Sequence, residues 1–182
     1  ALIGYSQGGY GVLTAGGATL DPEGPNVELV AGGWLKKIVR GTAGANRIKV
    51  DGLKAIVALA PGGGLPKSAW GTEGLAAITA PLFLIQGDAD PVVDYTTGAL
   101  AVFKGAVNSD RYLLTYKQAG HSIALNPVPT EMRGSLWNID WFEDPIWRQD
   151  RINAINLHFI TAFLAVHLGG QADKRDYLNV PV

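Results

Sequence analysis

Three residue types in this chain are spaced so that they could share one reaction: a serine in a glycine-flanked turn, aspartates after an apolar run, and a histidine after the next run. Gly4-Tyr5-Ser6-Gln7-Gly8 is a G-x-S-x-G motif. In such a motif the serine sits on a sharp turn between a strand and a helix, where flanking side chains would collide. Its hydroxyl then stands exposed at the carboxyl end of the strand, and the backbone N–H of Gln7 is aimed at the place where an oxyanion would form. The chemistry expected is nucleophilic attack by Ser6. Because the chain has 24 glycines, a plain tight turn is the alternative.

A serine hydroxyl needs a base within hydrogen-bond reach, and the base needs a carboxylate that fixes its tautomer and stabilises its charged form. Leu82 to Gln86 is an apolar run that feeds Gly87-Asp88-Ala89-Asp90-Pro91. Asp90 is the first choice for the orienting acid. Asp88 is the reserve, since an aspartate directly after Gly87 can instead cap the turn, and Asp94 reads as the N-cap of the following helix. Tyr116-Lys117-Gln118-Ala119-Gly120-His121 leaves His121 on a loop after the third run, where a mobile general base belongs. A loop histidine is ordinarily a solvated surface residue. Here, however, Ser6, Asp90 and His121 follow one another in the order Ser, Asp, His, each after a predicted strand of one sheet. His158 and His167 fall in the last predicted helix, where packing or capping suits them better than catalysis.

The elements that must position these residues can be read from the apolar pattern. Ala1 to Ile3 leads into the serine turn, and Tyr10 to Leu20 predicts a helix. Asp21 to Asp51 shifts toward Gly, Pro and polar residues, broken by the amphipathic stretch Val27 to Val39, and predicts a loop-rich excursion with one helix. Leu53 to Ala60, Leu82 to Gln86 and Tyr112 to Tyr116 read as strands buried on both faces. Helical patterns lie between them at Thr72 to Thr79 and Thr96 to Val107. Leu136 to Trp147 predicts irregular structure, and Asp144-Pro145 a helix start running through Leu168 with Ile152, Ile155, Phe159, Ala162, Phe163 and Val166 on one stripe. Strands alternating with helices predict an α/β fold with a parallel sheet and right-handed crossovers.

Composition narrows the alternatives. The chain has 182 residues, 47% of them hydrophobic, enough for one domain with a sizeable core. Lys and Arg number 15 against 16 Asp and Glu, a net charge of -1 with no basic field for nucleic acid. No apolar run approaches the roughly 20 residues of a membrane span. There is no cysteine, which removes disulfides, thiolate-bound zinc and cysteine nucleophiles, and with three histidines a metal site would have to be rich in carboxylates. No cofactor is called for. The chain starts at Ala1 and its one methionine is Met132, so sequence is expected upstream, and the compartment is left open.

Together GYSQGG, LKAIVALAPGGG, LFLIQGDADPVVDY, AGHS and the tail DPIWRQDRINAINLHFITAFLAVHLGG resemble the α/β-hydrolase family. The likeness is to the serine esterase branch of the dienelactone-hydrolase-like group, which neighbours the platelet-activating-factor acetylhydrolases and polyester-cleaving cutinases. It implies a mostly parallel sheet flanked by helices, with residues 1–182 as the C-terminal part of one hydrolase domain. It also implies a carboxylic ester hydrolase with Ser6, Asp90 and His121 as triad, Gln7 as an oxyanion donor, no cofactor or metal, and a periplasmic or secreted location. True dienelactone hydrolases use a cysteine, so that activity is not carried over. Family members also have strands before the serine turn, and a loop there gives the second oxyanion donor. The missing N-terminal part is therefore expected as a partner, Ala1 to Ile3 as an open sheet edge, and the isolated chain as a poor enzyme, about 100- to 1000-fold down for one lost donor.

Tyr5 and Trp70 are the aromatic candidates for binding a small-molecule ester, followed by Trp137, Trp141 and Trp147, and Gly62 to Gly64 are expected to leave open space. Each aromatic has core packing as its alternative. Two rival functions remain: a peptidase or thioesterase of the same chemistry, and a non-catalytic fragment or binding domain that keeps the fold. Activity is expected to fall in acid, since an imidazolium cannot accept a proton.

Overall fold

The computed structural model describes residues 1–25, 27, 30–132 and 142–179. Four apolar runs form a parallel sheet: β1 (Leu2–Tyr5), β2 (Ile56–Leu59), β3 (Leu82–Gly87) and β4 (Arg111–Tyr116), in the order β1-β2-β3-β4. The register pairs Ile3 with Val57, Val57 with Phe83, and Phe83 with Tyr112, so each row of side chains crosses the whole sheet. When strands follow one another in sequence order, connections of a single hand bring every connecting helix to the same face. Helices α1 (Gln7–Ala15), α3 (Gly71–Ala76) and α4 (Ala99–Gly105) do share one face. Leu13, Leu75 and Val102 form one core there with Ile56, Ala58, Leu82 and Leu84. The other face is covered by α5 (Gln149–His167), whose Ile152, Ile155, Phe159 and Phe163 pack on Val57, Phe83, Ile85 and Tyr116. The short helix α2 (Ala43–Ile48) lies outside both layers, in the excursion after α1.

The differences from the sequence reading have local causes. Helix α1 spans Gln7–Ala15 rather than Tyr10 to Leu20: it starts at the serine turn and stops at Gly16-Gly17, where Gly17 has φ 117°. The stretch Val27 to Val39 holds a 3-10 helix, Val30–Lys37, and the excursion contains α2 as well, its first turn capped by Thr42 Oγ1, which accepts the Ala45 N–H at 3.3 Å. Helix α5 begins at Gln149, not at Asp144-Pro145. The Asp144 carboxylate draws the amides of Ile146 and Trp147 into a turn, at 2.9 and 2.7 Å, and Arg148 is extended, so the helix starts only after it. Within Leu136 to Trp147, residues 136–141 lie outside the described residues. No described helix is long and apolar enough to cross a membrane. In the described sheet β1 pairs with β2 alone and forms an edge, and Ile3 on it is 52% exposed.

Candidate active site

Ser6 lies between the last residue of β1 and the first of α1, with φ 56° and ψ −116°. A non-glycine residue held at positive φ is strained and persists only where its surroundings fix it. Here they do: the Ser6 N–H donates to Leu59 O at 2.9 Å, and the Ser6 carbonyl accepts from Tyr10 N at 3.1 Å and Gly62 N at 3.0 Å. The glycines of the motif play unequal parts. A Cβ at Gly4 would run into the carbonyl of Gly8, whereas one at Gly8 would meet nothing within 4 Å. The second tight position is Gly9, outside the motif, where a Cβ would lie 2.8 Å from Pro61 Cα. Gln7 opens α1, so its backbone N–H is among those a helix leaves without an internal partner.

The hydroxyl of Ser6 is 2.9 Å from His121 Nε2, and His121 Nδ1 is 2.8 Å from Asp90 Oδ2. An ionised carboxylate can only accept, so Nδ1 carries the proton and Nε2 is left free to accept the serine proton. Asp90 has a fully buried side chain, yet its oxygens are satisfied: Oδ1 accepts the amides of Val92 (2.8 Å) and Val93 (3.2 Å), and Oδ2 accepts Gln86 Nε2 at 3.4 Å as well as the imidazole. Of the two acids after β3, Asp90 faces the imidazole. Asp88 instead accepts Gln118 N at 2.6 Å and pairs with Lys117 at 3.2 Å, tying its turn to the loop of His121. Asp94 caps its turn through Thr97 N at 2.8 Å, two residues before α4. A hydroxyl bound to an imidazole whose other nitrogen is held by a buried carboxylate is an arrangement able to make the serine nucleophilic.

A cavity of about 570 Å³ opens beside Ser6 and His121, bordered by Tyr5, Pro91, Val92, Leu125 and Pro145 among others. Tyr5 lies at it as expected, but its hydroxyl is engaged, donating to His121 O at 2.9 Å, and its ring lies 5.1 Å from the imidazole. Burial, and then the charge of Asp90, push the Tyr5 phenol up to about 12. Trp70 is not at the cavity. It is 1% exposed, stacks on Tyr10 and donates to Thr14 Oγ1 at 3.2 Å, as a large aromatic does when the core encloses it. Of Gly62 to Gly64, only Gly62 leaves room, a Cβ there having its nearest neighbours at 3.7 Å, whereas Cβ atoms at Gly63 and Gly64 would press on Trp70, Tyr10 and the Gly98 amide, each at 2.8 Å. Trp147 borders the turn before α5, donating to Lys117 O at 2.8 Å, while Trp137 and Trp141 lie outside the described residues.

His158 and His167 are far down α5 and take no part. Two residues that the sequence reading did not single out belong with the site. Gln86, fully buried at the end of β3, donates to Asp90 and accepts Ala99 N at 3.0 Å, joining the acid to the start of α4. Asp144, 8% exposed, accepts the Gly120 N–H beside His121 at 2.7 Å. The signal for Gln86 was a lone amide in an otherwise apolar strand. Among the described residues no group of three or more His, Asp or Glu side chains could hold a metal ion. No protein-family model matches the chain, and no curated protein matches it.

Proposed function

We propose that this chain is a serine esterase of the α/β-hydrolase kind, cleaving uncharged carboxylic esters through an acyl-enzyme intermediate. The observation that carries the reading is the unbroken chain Ser6 Oγ to His121 Nε2 (2.9 Å) and His121 Nδ1 to Asp90 Oδ2 (2.8 Å), with Ser6 held at positive φ. In this reading His121 takes the Ser6 proton as Oγ attacks the ester carbonyl carbon, and the Gln7 N–H donates to the resulting oxyanion. The imidazolium gives that proton to the leaving alkoxide. Water then attacks the acyl carbon while His121 takes its proton, and collapse breaks the bond between the acyl carbon and Oγ, frees the acid and returns the proton from His121 to Ser6 Oγ. The apolar border of Pro91, Val92, Leu125 and Pro145 suits an uncharged acyl or alcohol group.

The test is intact mass spectrometry of the natural protein after a fluorophosphonate serine-hydrolase probe, beside hydrolysis of p-nitrophenyl esters of graded acyl length. The expected result is one adduct, located on Ser6 and missing from Ser6→Ala, with hydrolysis lost in the same variant. A folded protein that takes no label and cleaves none of the esters overturns the reading and leaves a binding domain in its place.

A further inference from the structure

The loop that carries His121 is held from several sides, and one hold comes from the turn before α5, whose Asp144 and Pro145 also border the cavity beside Ser6. After β4 the loop is fixed to the turn after β3 by Ala89 N to Ala119 O at 3.0 Å and by Gln118 N to Asp88 Oδ1 at 2.6 Å. The residue directly before the imidazole is held by Asp144, whose Oδ2 accepts the Gly120 N–H at 2.7 Å. The other oxygen, Oδ1, accepts the amides of Ile146 and Trp147, and the Trp147 indole reaches back to Lys117 O at 2.8 Å. One buried carboxylate thus joins the turn before α5 to the backbone that aims the histidine. Hydrogen bonds to a charged acceptor are among the stronger ones a loop can use.

Resting on the esterase reading, we propose that Asp144 is a positioning residue for His121: through the Gly120 amide it fixes where the imidazole stands between Ser6 and Asp90. The carboxylate is needed because it accepts on both oxygens at once. An asparagine there has one oxygen. Placed toward Ile146 and Trp147 it keeps the turn, but its NH₂ then faces the Gly120 N–H, donor against donor, and that hold alone is lost. Asp144→Asn therefore separates positioning from folding.

The test compares wild type, Asp144→Asn and Ser6→Ala in three measurements: thermal melting, steady-state hydrolysis of a p-nitrophenyl ester, and the low-field proton NMR signal of His121 Nδ1–H. The expected result for Asp144→Asn is a melting temperature near wild type, kcat down about 10- to 100-fold with KM little changed, and a broadened or lost Nδ1–H signal. Asp144→Asn with wild-type kcat and a wild-type signal overturns the proposal. Should that variant not fold, Asp144→Ser carries the same test, since a hydroxyl can still cap the Ile146 and Trp147 turn yet is too short to reach Gly120 as well. The NMR signal needs no turnover and so keeps the two ideas apart. If wild type hydrolyses nothing but Asp144→Asn loses the signal, the esterase reading fails and the positioning of His121 by Asp144 stands.

Discussion

Asp90 and Ser6 differ in what their removal should do, and the hydrogen bonds say why. Ser6→Ala deletes the nucleophile and should lower kcat by about 10⁶-fold on the esterase reading. Asp90→Asn is nearly isosteric, but its NH₂ facing Nδ1 forces the wrong imidazole tautomer, so about 10⁴-fold is expected with KM close to unchanged. Steady-state kinetics on one ester checks both. Tyr5 offers a different kind of prediction. Its phenol is pushed up to about 12 from an ordinary 10.0, so the native state holds the proton more tightly than the unfolded chain does. That stability is complete below about pH 10 and lost as pH rises from there toward 12. Denaturant unfolding of Tyr5→Phe across that range should show a shallower alkaline decline than wild type. Other raised tyrosines, Tyr116 above all, keep some of the slope. Asp90 and His121 stood out because each follows an apolar run that reads as a strand, whereas Ser6 stood out by its glycine-flanked motif, Ala1 to Ile3 being too short to read alone and β1 a partly exposed edge. Gln86 and Asp144 did not, because their partners, the Asp90 carboxylate and backbone amides, are brought to them only by the folded chain. Trp70 was misread for the opposite reason: its type fits a cavity or a core equally well.

At the scale of elements, β2 and β3 were legible because a parallel sheet buries both their faces and their apolar runs stand out, whereas the outer strands β1 and β4 are only partly buried, Tyr112 to Thr115 included. The helices between them were placed to within a few residues, while their ends depended on contacts. Glycine 16 and 17 end α1, and the Asp144 turn delays α5, neither of which periodicity can report. Helix α5 is also the element on which one whole face of the sheet depends. Phe163 is fully buried there, 5.5 Å from the Phe83 ring and 5.7 Å from Tyr112. Phe163→Ala should destabilise the fold by about 3–5 kcal/mol, read as a lower denaturant midpoint at unchanged slope. At the serine turn, Gly4→Ala places a methyl against the Gly8 carbonyl, and the turn must open to admit it. Labelling of Ser6 by the fluorophosphonate probe should slow strongly in Gly4→Ala. In Gly8→Ala, where the added carbon meets nothing within 4 Å, labelling should stay close to wild type.

Across the whole molecule, a parallel sheet sorts its ends. Ser6, Asp90 and His121 follow the carboxyl ends of β1, β3 and β4, which is where loops from neighbouring strands converge. The opposite end carries a second histidine with another task. His167, at the end of α5, packs against Phe163 at 4.6 Å and Tyr112 at 6.0 Å, with Asp110 Oδ2 3.9 Å from its Nε2 and Arg175 paired to the same carboxylate at 3.2 Å. Burial holds its imidazole below the ordinary 6.5, against the pull of Asp110 and aided by Arg175. The unfolded chain therefore takes up a proton there before the native state does, and stability falls as pH drops below about 6.5 until the native imidazole also titrates. His167→Gln removes the proton site, so its unfolding free energy should depend less on pH in that window than that of wild type. On the esterase reading hydrolysis depends on the residues around Ser6 at the far end of the sheet, so kcat of His167→Gln at neutral pH should stay close to wild type in steady-state kinetics on one ester. A kcat lowered about tenfold or more in a His167→Gln protein that still folds would overturn that separation of the two ends of the sheet.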